Sequence, residues 1–141
     1  MNRDSTGRKL LTGVAFFTST GGFLFDWNKT HLFNPNWPPH AKFHDAMTIL
    51  MGSMLGLSGF YLLQKKSGNK TTNLQYGTLL PAMFWAAQAG SFIFPGAKGL
   101  EAEFPERVPK IGPVRLNEAV VSTLMLALTG LGYVLTKKKR T

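Results

Sequence analysis

A chain of 141 residues allows one domain, and 44% hydrophobic against only 16% charged residues is an apolar balance for a soluble fold of that size. The absence of cysteine excludes a disulfide, a thiolate nucleophile and a cysteine-ligated metal. The net charge of +9 does not point to nucleic acid, because the excess sits in three short segments at the ends of apolar runs.

Mean hydropathy is near zero only because it averages very apolar blocks with very basic ones. The uncharged runs are 10–25, 46–64, 71–97 and 119–136. A bilayer core takes about 20 residues of helix. The runs therefore predict an all-α fold, a four-helix transmembrane bundle running up-down-up-down, with spans at about 9–25, 43–64, 74–94 and 118–136. Residues 26–42 and 95–117 are its external loops, and the whole chain is one integral membrane domain.

Residues 1–8 form a polar tail. Arg8 and Lys9 before the apolar run imitate the start of a signal peptide, but no small-x-small cleavage site follows, so a retained first helix is expected. Within it Thr18, Ser19, Gly22 and Asp26 recur at helical spacing, which gives one stripe that does not face lipid. Close helix packing is the plainer reading of the first three. A carboxylate at the end of a span must instead be interfacial or paired. In the first external loop Asn34-Pro35 and Trp37-Pro38-Pro39 impose extended and turn backbone, and Pro39 suits the first position of the next helix. Trp27 and Trp37 fit an aromatic belt at headgroup level.

The second span carries a small face at Gly52, Gly56 and Gly59, and a basic turn, 65–73, follows it. The third span holds Pro81, where a kink is expected, and the series Ala82, Ala86 and Gly90, read as a tight-packing face. Four prolines between 95 and 113 exclude a long helix there. Leu100, Phe104, Val108, Ile111 and Val114 in the same stretch predict a segment covering the external end of the bundle. No internal repeat is present.

Charge orients the spans. Arg3, Arg8 and Lys9, then Lys65, Lys66 and Lys70, then the cations from Lys137 to Arg140 all fall on one side of a four-span layout, opposed only by Asp4. The charges of the other side cancel. The excess of Lys and Arg marks the cytoplasmic face, so both termini are expected there, drawn to anionic headgroups.

The same layout gathers polar groups at the external end. Asp26 closes the first span, His40 and His44 open the second one turn apart, Gln88 lies in the third and Glu118 opens the fourth. His31 is on the loop between. Acid–base chemistry is the preferred use of this set: His40 and His44 act as catalytic groups, with Asp26 and Glu118 as orienting or proton-accepting carboxylates, while His31, Trp37, Trp85 and Gln88 contact substrate. The positive end of the second helix would bias the two histidines toward the neutral form.

A metal is the second use. If one is bound, His40 and His44 are its ligands, completed by Asp26, His31, Asp45 or Glu118, although H-x-x-x-H alone is a weak signal. Copper is a third use, because Met47, Met51 and Met54 continue the histidine stripe, but methionine at helical spacing is more often core filler. The sequence identifies no cofactor. The bland alternatives are interfacial histidines with satisfied hydrogen bonds and, for Gln88, a plain bond between helices.

Asn28-Lys29-Thr30 and Asn69-Lys70-Thr71 fit the glycosylation pattern, but the first lies close to the bilayer and the second on the cytoplasmic side. The ending Lys138-Lys139-Arg140-Thr141 looks like a dilysine retrieval signal of the endoplasmic reticulum, or a plain basic stop in the inner membrane of a bacterium.

The run His31-Leu32-Phe33-Asn34-Pro35-Asn36-Trp37-Pro38-Pro39-His40-Ala41-Lys42-Phe43-His44 resembles the loop of small, uncharacterised four-span membrane proteins of bacteria and fungi. That likeness carries no activity. Size and layout are also loosely similar to sterol isomerases of the emopamil-binding type and to anthrone oxygenases, without a motif that matches residue by residue.

The leading functional expectation is a membrane-embedded enzyme acting on a lipophilic small molecule at the external or lumenal end. A non-catalytic accessory or assembly subunit, docking on partner helices, is the alternative. A small-ligand or ion transporter working as a homo-oligomer is the third.

Overall fold

The computed structural model describes residues 3–137. Four helices carry the fold: α1 (Arg3–Phe25), α2 (Pro39–Gln64), α3 (Lys70–Gly90) and α4 (Glu118–Lys137). Between α3 and α4 lie two single 3-10 turns, Ser91–Ile93 and Leu100–Ala102, and a two-residue hairpin of β1 (Lys110–Ile111) with β2 (Val114–Arg115), paired Lys110 to Arg115 and Ile111 to Val114. The fold is all-helical, as expected. The retrieval-like ending from Lys138 lies outside the described residues.

Local chemistry sets the ends. α1 begins earlier than its apolar run because Asp4 suits the positive first turn and lies 3.8 Å from Arg8, one turn on. α2 opens on Pro39, with Pro38 in extended backbone before it. α3 begins at Lys70, ahead of the expected span. The Asn69 side chain caps it, accepting from the backbone N–H of Thr71 at 2.8 Å and of Thr72 at 3.1 Å. α4 starts after Asn117, whose Oδ1 accepts from the Val120 N–H at 3.2 Å. In the hairpin, Gly112 supplies the positive φ of 58° that lets Ile111 and Val114 pair across two residues.

α1 packs mainly on α2 and α4, and α3 mainly on α2 and α4, with a smaller contact between α1 and α3. The closest seam is that of α1 with α2. A Cβ at Gly56 would lie 2.3 Å from the Ser19 nitrogen and 2.7 Å from the Ala15 carbonyl oxygen. Ser53 adds a hydroxyl that donates to the Ser19 carbonyl at 3.0 Å. Leu11, Ala15, Leu63 and Leu74 form one buried cluster, and Val14, Trp85 and Met125 another.

Pro81 lies inside a continuous α3 and is fully buried. Its ring fills the space that a side chain at position 59 would need, with its Cγ 2.5 Å from the site of a Gly59 Cβ. The buried face of α3 is Leu74, Gly77, Pro81 and Trp85, not the small series. Ala86 is exposed and nothing approaches Gly90, because the proline ring and the indole fix which side turns inward.

Two of the described helices, α2 and α4, are long and apolar enough to cross a membrane. Only 28% of the most apolar window of each is buried within the fold. Phe43, Met47, Leu50, Met54, Leu57 and Tyr61 recur on α2 three and four residues apart, all exposed. α1 and α3 have comparable length, 23 and 21 residues, but carry more polar side chains.

Candidate functional site

A cavity of about 730 Å³ opens between the end of α1, the second half of α3, the start of α4 and the segment between α3 and α4. Its apolar wall includes Phe17, Phe25, Phe84, Trp85 and Val121, with Leu100, Val108 and Leu116 from the segment between α3 and α4, whereas Ile111 and Val114, expected in the cover, are exposed. Asp26, His31, Gln88, Asn117 and Glu118 supply polar groups, joined by Lys29 and Arg107.

The loop after α1 positions the first two. Asn28 folds into a local turn: its amide donates to the Phe25 carbonyl, while its Oδ1 accepts from the Thr30 N–H at 2.7 Å and the Thr30 hydroxyl at 2.6 Å. That hydroxyl has one proton, and Asn28 takes it. The Thr30 oxygen, 3.0 Å from His31 Nδ1, is therefore an acceptor, so Nδ1 carries a proton. In neutral His31 the free lone pair is then on Nε2, and Nε2 lies 3.8 Å from the Asp26 carboxylate, beyond direct hydrogen-bond reach. Trp37 meets the imidazole edge-on with centroids 5.6 Å apart. Asn34, fully buried, closes the loop by donating to the Thr30 carbonyl at 3.2 Å and accepting from the Asn36 N–H at 2.9 Å.

Glu118 is committed to the cover. Its two oxygens accept from the Leu100 N–H at 3.1 and 3.2 Å. The Asn117 amide donates to Glu101 at 2.7 Å, and the other Glu101 oxygen is buried with no hydrogen-bond partner. Gln88 accepts from the Ser122 hydroxyl at 2.8 Å, a bond between helices. Trp85 is buried, donates its indole N–H to the Thr18 hydroxyl at 2.8 Å and stacks on Phe17 at 5.9 Å.

The structure brings Asp26, His31, Trp85, Gln88 and Glu118 to one cavity. It places His40 and His44 elsewhere. They face each other, Nε2 to Nε2 at 3.1 Å, on the exposed side of α2 and outside the cavity wall. Trp37 acts only behind His31. The reason lies in α2: its buried stripe is Ile49, Gly52, Gly56, Gly59 and Leu63. Carried back by one turn, that stripe meets Asp45, and His44 is turned about 100° away from it. Among the described residues no group of three His, Asp or Glu is arranged to hold a metal ion.

Sequence reasoning missed Asn28 and Thr30, which set the imidazole, and the cavity cations Lys29 and Arg107. The signal was present, because an Asn-x-Thr triplet describes an Asx turn as readily as a glycosylation acceptor.

Burial first, and the negative charge of Glu118 second, push the Asp26 carboxyl up from 3.8 to about 6. Below about pH 4 the folded and unfolded chains both hold that proton. Between about 4 and 6 the folded chain keeps it and the unfolded chain loses it, so stability falls as pH rises through this window. Above 6 a partly buried charge weighs on the fold. Asp26→Asn is therefore expected to raise the melting temperature in detergent near neutral pH. The gain is on the order of 1–2 kcal/mol, discounted for the partial exposure of the group, and it should disappear near pH 4. Melting curves at the two pH values check this, and an equal gain at both would show that charge is not the cause.

No curated protein and no solved structure matches the chain. A family match carries no link to isomerases or oxygenases, but it takes in α1 from Leu10 and all of α2, α3 and α4: residues 10–141 match the model of DUF6640, a family of unknown function, and the chain belongs to that family.

Proposed function

We propose that the protein is a small membrane-embedded enzyme acting on a lipophilic molecule, with Asp26 and His31 as its proton-transferring pair. In this reading the helices form an up-down-up-down bundle with cytoplasmic termini, and the cavity lies at the external or lumenal end. The exposed apolar faces of α2 and α4 support the membrane placement, and the basic segments at one end support the orientation.

One observation carries the catalytic part. His31 Nε2 lies 3.8 Å from a carboxyl that holds its proton up to about pH 6, and both groups line one aromatic cavity. A carboxyl at that value can both give up and take back a proton near neutrality. The pair suits relocation of a proton within a bound molecule, as in an isomerisation, or the addition or removal of water. Trp85 and Phe17 would hold the apolar body, and Gln88 a polar end. His40 and His44 have no part in this step.

The test compares extracts of cells producing the wild-type protein, Asp26→Asn or His31→Asn. Wild type is expected to change the level of at least one lipophilic species. Each variant is expected to slow that change by about 100-fold or more while accumulating normally in the membrane. An unchanged lipophilic profile, or variants as effective as wild type, would remove the catalytic reading.

The exposed His40–His44 pair favours a second reading, a non-catalytic subunit that presents these rings to a partner in a membrane complex. Co-purification that depends on His40 and His44 but not on Asp26 would select it.

A further inference from the structure

At the opposite end from the cavity, where α1 begins, α2 ends and α3 begins, lies an open groove of about 990 Å³. Arg8 and Lys9 of α1, Lys65 and Lys66 after α2, and Lys70 of α3 line it, against a single carboxylate, Asp4. Three chain segments thus converge to place five cations around one depression. Arg8 is steadied there, donating from Nη1 to the Leu63 carbonyl at 3.4 Å with its Nε 3.8 Å from Asp4.

The groove also has apolar lining, the buried Leu63 and Leu74, the half-buried Leu62 and the exposed Phe16. Lys9, Gly13 and Phe16 follow one another at helical spacing on one face of α1, and nothing lies within 4 Å of the position that a Gly13 side chain would take. From Lys9 to Phe16 this exposed strip of α1 runs about 10 Å at the helical rise of 1.5 Å per residue.

We propose that this groove is a binding site for an anionic glycerophospholipid, with the headgroup phosphate among the cations and an acyl chain laid over Gly13 toward Phe16. The occupant follows from the two chemistries together. Five cations answer a phosphate, and an open strip of about 10 Å leading from Lys9 past Gly13 to the exposed Phe16 answers a hydrocarbon chain that a free phosphate lacks. The inference rests on the membrane placement proposed above but not on the catalytic pair.

Native mass spectrometry of the purified protein, exposed to an equal mixture of phosphatidylglycerol and phosphatidylcholine, tests it. Wild type is expected to retain phosphatidylglycerol preferentially. Lys65→Gln/Lys66→Gln/Lys70→Gln should lower that retention about tenfold or more. Lys42→Gln/Lys98→Gln/Lys110→Gln, which removes the same charge at the other end, should leave it within about twofold. Gly13→Leu, at a position with room for a side chain, should lower retention without touching a charge.

Equal loss in the two triple variants would mean diffuse attraction and overturn the site. Displacement by millimolar glycerol 3-phosphate, with Gly13→Leu behaving as wild type, would make it a site for a soluble organophosphate and overturn the lipid assignment. Carbonate washing of membranes separates the two levels of failure. Protein released into the wash would refute the membrane placement and the site with it. Protein that stays in the membrane but shows no lipid preference would refute the site alone.

Discussion

Gly56→Ala is expected to destabilise the protein by on the order of 3 kcal/mol, the largest effect of any single methyl group added to the helices. The new carbon would lie 2.3 Å from the Ser19 nitrogen, 2.6 Å from its Cα and 2.7 Å from the Ala15 oxygen. All three are backbone atoms of α1, so no rotamer change relieves the clash and the helices must move apart. Moving them would also stretch the 3.0 Å bond from the Ser53 hydroxyl to the Ser19 carbonyl and open the cluster around Ala15, which is wholly buried. Gly130→Ala is the control. Nothing lies within 4 Å of that position on α4, so the helix should gain about 0.5–1 kcal/mol from the alanine. Melting temperatures in one detergent, measured side by side, read both. Similar midpoints for the two variants would contradict the close α1–α2 seam.

Trp85→Ala is expected to cost about 3–5 kcal/mol, with a second consequence for the cavity. The indole is 4% exposed, stacked on Phe17 and edge-on to Phe84 at 5.1 Å. Its removal leaves a hole that the surrounding rings cannot fill, and it enlarges the site where a ligand would lie. Trp85→Phe separates the two contributions. It keeps most of the packing and loses only the 2.8 Å bond to Thr18, whose hydroxyl still donates to the Val14 carbonyl at 2.8 Å, so the cost should be about 1 kcal/mol. Melting curves distinguish the variants. Equal losses in both would assign the stability to the hydrogen bond instead of to the packing.

The helices were legible because uncharged runs and their basic flanks are properties of composition, visible without knowing any contact. Their ends were less so. Asn69 moved the start of α3 to Lys70 through a cap that no hydropathy pattern reports. The inward face of α3 was misassigned for a similar reason. Ala82, Ala86 and Gly90 are small, but it is the bulky Pro81 that finds a notch, and smallness on one helix matters only where a neighbour intrudes.

Asp26, Gln88 and Glu118 came together because they sit near helix ends whose level is fixed by span length. The azimuth of a residue at that level is not fixed so simply. His40 and His44 share a level with Asp26 and a face with each other, yet the glycine stripe of α2 turns them away. The glycines that decide this lie two turns and more further along the same helix. His31 gained its place from Asn28 and Thr30, a local loop contact that a reading by spans passes over.

The proline ring lodged against Gly59 has a mechanical implication. A slide of one helix along another by one turn is a travel of about 5.4 Å. A ring seated in a notch works as a tooth in a rack and stops that travel, while still letting the helices tilt about the tooth. Trp85 stands one turn beyond Pro81 on the same helix, so the tooth also sets the height at which the indole meets Thr18. The depth of the cavity is thus gauged by a contact between two other helix faces, outside the cavity wall.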